Sequence, residues 1–216
     1  VLAREGARLH AVALPGKELE SLSSLGSKGQ VACYAGDITD AAFVNGVVER
    51  VERIDVLIQC AGITRVAPFL EMKPDDWDAI FRVNVLALLS IVQQVARRMV
   101  AAGSGHIILV SSALAASPLP NTLAYVASKR AVSAIHDGLR TELAPHGIRT
   151  TELRPGAVGG TRILDGAVAP GIAASFVKRD YALIRPDDIA RALLFVAKSP
   201  PGVNIDVIEV KPLGQP

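Results

Sequence analysis

Apolar positions along this chain follow two alternating rhythms. Short, nearly unbroken aliphatic runs predict strands at 8–13, 30–34, 55–59, 106–111, 148–153 and 203–210. Several are apolar at every position, as strands buried on both faces must be. Between them, apolar residues spaced three and four apart predict helices over 17–25, 40–53, 74–100, 122–144 and 186–197. Pro74 and Pro186 are each followed by two acidic residues, the pattern of a first helical turn with charge that suits the helix dipole. Strand, helix, strand repeated along the whole chain predicts right-handed crossovers and an α/β fold: a doubly wound parallel sheet in one domain, 1–216.

Two segments break the regular alternation. The helix from Pro74 carries Trp77, Ile80, Phe81, Val85, Leu86, Leu88, Leu89 and Val92, apolar around most of its circumference, which is more than one sheet can cover. A subunit interface on its other side is therefore expected, in a homotetramer or homodimer. The connection 155–185 has few strand or helix signals. Its length marks 157–185 as a lid over a substrate site.

Composition narrows the function. Of 216 residues, 50% are hydrophobic, 20% charged and only 4% aromatic, so the core is aliphatic and disorder is excluded. A net charge of +2 lacks the basic surface that a nucleic-acid partner requires. The most apolar stretch, 83–92, is broken by Asn84 and Ser90 and is shorter than the ~20 residues that span a bilayer, so no membrane partner is expected. Cys33 and Cys60 have no cysteine or histidine at metal-ligand spacing, which predicts free thiols, no metal, and a cytoplasmic protein. His10, His106, His136 and His146 are scattered over different elements. No Gly-x-Ser-x-Gly nucleophile elbow is present.

In an open parallel sheet, ligands bind beyond the carboxyl ends of the strands. The residues there are Asp37 and Ile38, then Gln59-Cys60-Ala61-Gly62, then Ser111-Ser112, then Pro155-Gly156 with Val158 and Thr161. Tyr125 and Lys129 stand four apart at the start of a helix, hence on one face. A lysine ammonium ~5 Å from the phenol, at an effective dielectric near 20, favours phenolate by ~3 kcal/mol, or ~2 pKa units. That brings a tyrosine toward the range of general acid/base work. Taken alone, the pair also fits an ordinary surface contact, Ser112 a turn residue, and Asn84 a helix asparagine bonded to its own backbone.

Taken together, Asp37-Ile38, Ala61-Gly62, Asn84, Ser112, Tyr125-x-x-x-Lys129 and Pro155-Gly156, in this order and spacing, resemble the classical short-chain dehydrogenases/reductases. The ending Val207-Ile-Glu-Val-Lys-Pro-Leu-Gly-Gln resembles the NADP-linked branch that includes serine, 3-hydroxy acid and clavulanate dehydrogenases. The resemblance implies a Rossmann-type fold and reversible hydride transfer between a nicotinamide cofactor and a small or medium carbonyl or alcohol. It implies that Tyr125 is the general acid/base, that Lys129 lowers its pKa and binds the nicotinamide ribose, that Ser112 orients the carbonyl, and that Asn84 holds a relay water. It also implies that Asp37 and Ile38 contact adenine, and that Ala61, Gly62, Pro155, Gly156, Val158 and Thr161 flank the ribose and nicotinamide.

The chain departs from that pattern in places. Gln59-Cys60 stands where the family has paired asparagines, and the added glycine at Gly159-Gly160 moves Thr161 one residue later. Residues 1–7 resemble the end of a first helix, so the first strand and the glycine-rich phosphate turn are expected to be absent from this sequence. Ala13 has no carboxylate for a ribose 2′-hydroxyl, which favours NADP, with NAD the alternative and Lys17 the nearest cation. The rival reading is a catalytically silent Rossmann-like binding or structural protein.

Overall fold

The computed structural model describes all residues except 26, 28, 166, 170, 171, 173–179 and 216. Among the described residues six strands form, all in parallel pairs: β1 (Leu9–Ala13), β2 (Val31–Ala35), β3 (Val56–Gln59), β4 (Gly105–Val110), β5 (Ile148–Pro155) and β6 (Val207–Val210). The helices are α1 (Lys17–Leu22), α2 (Ala41–Arg50), α3 (Pro74–Phe81), α4 (Leu88–Ala102), α5 (Leu123–Leu143) and α6 (Pro186–Ala197). Most boundaries lie within a few residues of those expected. β6 is shorter because residues 203–206 are held as a loop, where the Asn204 side chain bonds the backbone of Thr150 from both its oxygen and its nitrogen.

The expected parallel sheet forms in two parts. β1 pairs only with β2, whereas β3-β4-β5-β6 form a second sheet in that order. The free edges of β1 and β3 face each other across a cleft lined by Leu9, Val12, Val56 and Ile58, and among the described residues no strand lies between them.

Strand alternation distributes the core over both faces of the larger sheet. Ile107, Leu109 and Ile148 pack with Leu88, Val92, Val95 and Met99 of α4 and Val132 of α5. Ile108 and Leu153 point the other way, against Val196 and the apolar face of α6. That helix opens with Pro186, and its Asp188 carboxylate accepts the Arg185 N–H in a capping box.

The expected single helix from Pro74 is interrupted. Residues Arg82–Ala87 form a π-helical turn between α3 and α4. The whole stretch, Pro74–Ala102, is by length and composition long and apolar enough to cross a bilayer, more than the 83–92 run indicates. Half of that window is buried inside the fold, where Ile80, Leu88, Val92 and Met99 serve as core residues. Its outer face leaves Trp77, Phe81, Leu86 and Leu89 exposed, with Phe69 stacked on Trp77.

Candidate active site

The carboxyl ends of the strands open into a cleft of about 1940 Å³, larger than a usual small-molecule site because it continues into the gap between the sheets. Of the residues expected there, Asp37, Ile38, Ala61, Gly62, Ser112, Tyr125, Lys129, Pro155, Gly156, Val158 and Thr161 all line it. Asn84 does not. It sits behind the wall, almost fully buried.

Three elements bring the polar groups together. Ser112 follows β4 and starts a short 3-10 turn, Ala113–Ala115, its Oγ accepting the Leu114 N–H at 3.2 Å. Tyr125 and Lys129 lie on the first turns of α5, both buried. The Lys129 Nζ donates to the carbonyl oxygen of Val110 at 2.9 Å and lies 5.8 Å from the centre of the Tyr125 ring.

The π turn explains what Asn84 does. Its Oδ1 accepts the Ile63 N–H at 2.9 Å, while its Nδ2 donates to the Ile63 carbonyl at 2.9 Å and to the Ser128 Oγ at 3.0 Å. One side chain thus fixes the loop after β3 to α5 beside Lys129. Gly62 is caught between them: a Cβ there would lie 3.2 Å from Asn84 Oδ1 and 3.3 Å from Lys129 Nζ, tighter than real contacts allow without a shift. At Gly156 a Cβ would lie 2.4 Å from Gln215 Oε1 and 3.0 Å from the Lys211 backbone, because residues 211–215 fold back over this turn.

The electrostatics correct one expectation. Lys129 was expected to draw the Tyr125 phenol down, but burial pushes it above its usual value, opposed only by the hydrogen bond with Ser112. Lys129 is itself desolvated and is depressed to about 8, a shift that the nearby Cys60 thiol partly opposes. Desolvation also raises Cys60, against the pull of Lys129. The i, i+4 spacing brings the phenol and the ammonium close, as read, yet both groups are held toward their neutral forms by the dry site.

At the other end of the cleft, Asp37 spends one carboxylate oxygen on the Thr39 N–H at 2.8 Å, and Ile38 packs against the core. The Thr161 hydroxyl turns back to its own loop, 3.4 Å from the Val158 carbonyl oxygen. Lys17 is not part of the lining. Its neighbour Glu18 is, and it pairs with Arg162 at 2.7 Å across the mouth. Of the expected lid 157–185, residues 166, 170, 171 and 173–179 lie outside the described residues; the rest is tied down by bridges from Val66 to Val168 and from Val158 to Ile184. The sequence reading missed the Val110 carbonyl, Ser128, Glu152 and Gln215. Only Leu213-Gly214-Gln215 carried a local signal for any of them.

A parallel α/β sheet with serine, tyrosine and lysine converging beyond its strand ends defines the class: an NAD(P)-dependent oxidoreductase. The short chain dehydrogenase family model matches residues 1–169, and the chain belongs to that family. It is 32% identical over 204 residues to D-threitol dehydrogenase of Mycolicibacterium smegmatis, covering 90% of this chain and 78% of that one. It is also 32% identical over 218 residues to the 3-oxoacyl-[acyl-carrier-protein] reductase of Thermotoga maritima, covering 91% and 82%. Among solved structures, an alcohol dehydrogenase of Thermococcus sibiricus complexed with 5-hydroxy-NADP superposes with a TM-score of 0.83 at 25% identity, covering 100% of this chain and 90% of that one.

Proposed function

We propose that the protein is an NADP-linked dehydrogenase/reductase of small or medium alcohols and carbonyls, with Tyr125, Ser112 and Lys129 as its catalytic residues. The carrying observation is that these three side chains meet at one end of a cleft whose wall at Gly62 has no side chain between backbone and Lys129. The residues lining the cleft fit a nicotinamide nucleotide: Lys129 would hold a ribose, and Asp37 and Ile38 would flank the far end. When bound, the nicotinamide supplies or accepts hydride.

The chain's own residues handle the proton. A buried phenol held protonated at neutral pH is a donor to the carbonyl oxygen during reduction. Ser112, hydrogen-bonded to that phenol, aligns the same oxygen. Lys129 carries its charge below about pH 8, next to the position where negative charge develops. Asn84 acts from behind the wall, holding Ile63 and Ser128 in place, where a relay water would meet Lys129.

The preference for NADP is supported by Ala13, which offers no carboxylate to a 2′-phosphate, and by the NADP analogue bound by the Thermococcus enzyme. The assay is oxidation of NADPH against NADH with a panel of ketones, aldehydes and 3-oxo acids, and the reverse reaction with polyols and hydroxy acids. Turnover with NADH alone would overturn the preference, and turnover with neither would overturn the reading.

Pairing of subunits through α4 is part of the same proposal. Leu86 is 61% exposed and Leu89 41%, beside Phe81 and Trp77. A Leu89→Glu variant is expected to sediment as a monomer while the parent does not; a monomeric parent would refute the interface. The free Cys33 and Cys60 suit a cytoplasmic enzyme.

A further inference from the structure

A charged group lies beneath the catalytic residues and takes no part in the chemistry proposed above. Glu152, in the middle of β5, is 0% exposed. Its carboxylate accepts hydrogen bonds from the Ser111 hydroxyl, from the Ser133 hydroxyl at 2.5 Å and from the Arg154 guanidinium at 2.7 Å. Burial raises the carboxyl, but those three donors and the Arg154 charge outweigh it, so it is held below the usual range and is ionised at neutral pH.

The donors are what give Glu152 its significance. Ser111 immediately precedes Ser112. Ser133 lies one turn after Lys129 on α5. Both hydroxyls converge on the same carboxylate oxygen, so Glu152 ties the end of β4 to α5. Above it, Lys129 closes the ring by donating to the carbonyl of Val110, the residue before Ser111.

We infer that Glu152 is a positioning residue for this active site, fixing Ser112, just beyond β4, against Lys129 on α5 through Ser111 and Ser133. The inference rests on the proposed reductase reading for its kinetic consequence, but not for its geometric one. Loss of the tie lets the Val110 carbonyl drift from Nζ, and the charged form of Lys129 loses its hydrogen-bond acceptor. The other titratable groups facing Nζ are Cys60, from the end of β3, and Tyr125, on its own helix.

The test is Glu152→Gln, which keeps the shape but turns an amide N–H₂ toward either the serines or Arg154. Two measurements separate the possibilities. In the first, competitive acetylation of Lys129 against pH, read by mass spectrometry and requiring no turnover, is expected to show its midpoint falling by about half a pH unit or more. In the second, kcat for carbonyl reduction is expected to fall roughly 10- to 100-fold with KM for NADPH within about twofold, as for a small misplacement of reacting groups. If the Lys129 midpoint and kcat both stay at the parent values, with only the melting temperature lowered, the role is structural and the inference is overturned. If the parent itself reduces no carbonyl, the reductase reading fails and the acetylation midpoint alone decides the geometric claim. Should Glu152→Gln not fold, the Ser111→Ala/Ser133→Ala double variant removes both donors with the carboxylate in place, and an unchanged Lys129 midpoint there overturns the inference equally.

Discussion

The two sheets of this protein are built to different standards. Not one residue of β1 or β2 is fully buried, whereas four of six in β4 and five of eight in β5 are. A two-stranded pair has little independent stability, and β1–β2 draws its support from α1 and the loop ends around it. Proton transfer requires fixed distances, and Ser112, Tyr125 and Lys129 are mounted on the well-buried sheet and the helix packed on it. Holding the far end of a nucleotide requires only affinity, and Asp37 and Ile38 are carried by the looser pair.

The largest expected effect tests whether the two ends are functionally separate. Tyr125→Phe removes one hydroxyl and should lower turnover by about 10²- to 10⁴-fold with NADPH affinity nearly unchanged. Steady-state rates beside a fluorescence titration read both quantities, and equal loss in each would join what the comparison keeps apart.

Next in size is stability. Ile108, fully buried between β4 and α6, should cost about 2–5 kcal/mol on truncation to alanine, whereas Val12→Ala in β1 should cost less than about 1 kcal/mol. Urea unfolding curves measure the contrast. Amide hydrogen exchange should follow it, faster in β1 and β2 than in β4 and β5.

A smaller effect should appear in acid. Burial first, then the Arg149 charge, depress His106 on β4 to about 4. Between pH 6.5 and about 4 the unfolded chain takes up a proton that the folded chain refuses, so stability falls as pH falls through that window. The loss amounts to about 2 kcal/mol by pH 5. His106→Gln should flatten the change in urea midpoint between pH 7 and pH 5; an unaltered slope would assign it to other groups.

The smallest effect has the opposite sign. Lys129 is depressed from 10.5 to about 8, so below pH 8 the folded protein carries a charge in a dry site at a cost of about 3 kcal/mol. The hydrogen bond to Val110 offsets part of that. Lys129→Met should therefore raise stability at pH 7 by about 1 kcal/mol while abolishing turnover, and the gain should shrink as pH rises from 8 toward 10.5. Thermal melts at pH 7 and pH 10 check both the sign and the trend.

Much of this was legible in the sequence because it is local. The Pro-Asp-Asp start of α6 predicted its bounds, and the four-residue spacing of Tyr125 and Lys129 brought their side chains near one another. What sequence could not supply depends on residues distant in the chain. The direction of the Tyr125 shift is set by desolvation, which the spacing does not report. Glu152 meets Ser111 across two strands, and Gln215 accepts the Ala157 N–H from 58 residues away. The π turn was hidden because the apolar residues around Asn84 fit either helical pitch.

That turn also fixes which changes of length the chain can accept. A π-helical turn holds one residue more than an α-helical one. Deleting any single residue between 82 and 87 would let an ordinary helix run from Pro74 to Ala102 with its two flanks nearly in phase, because a wide turn and an ordinary turn both close about 360° and differ only in the extra residue. Leu88, Val92 and Val95 would keep their places in the core, while Asn84, inside the turn, would be drawn away from Ile63 and Ser128. The extra residue thus acts as a local spacer: the helices on either side do not depend on it, and what it secures is the reach of Asn84 to its two partners.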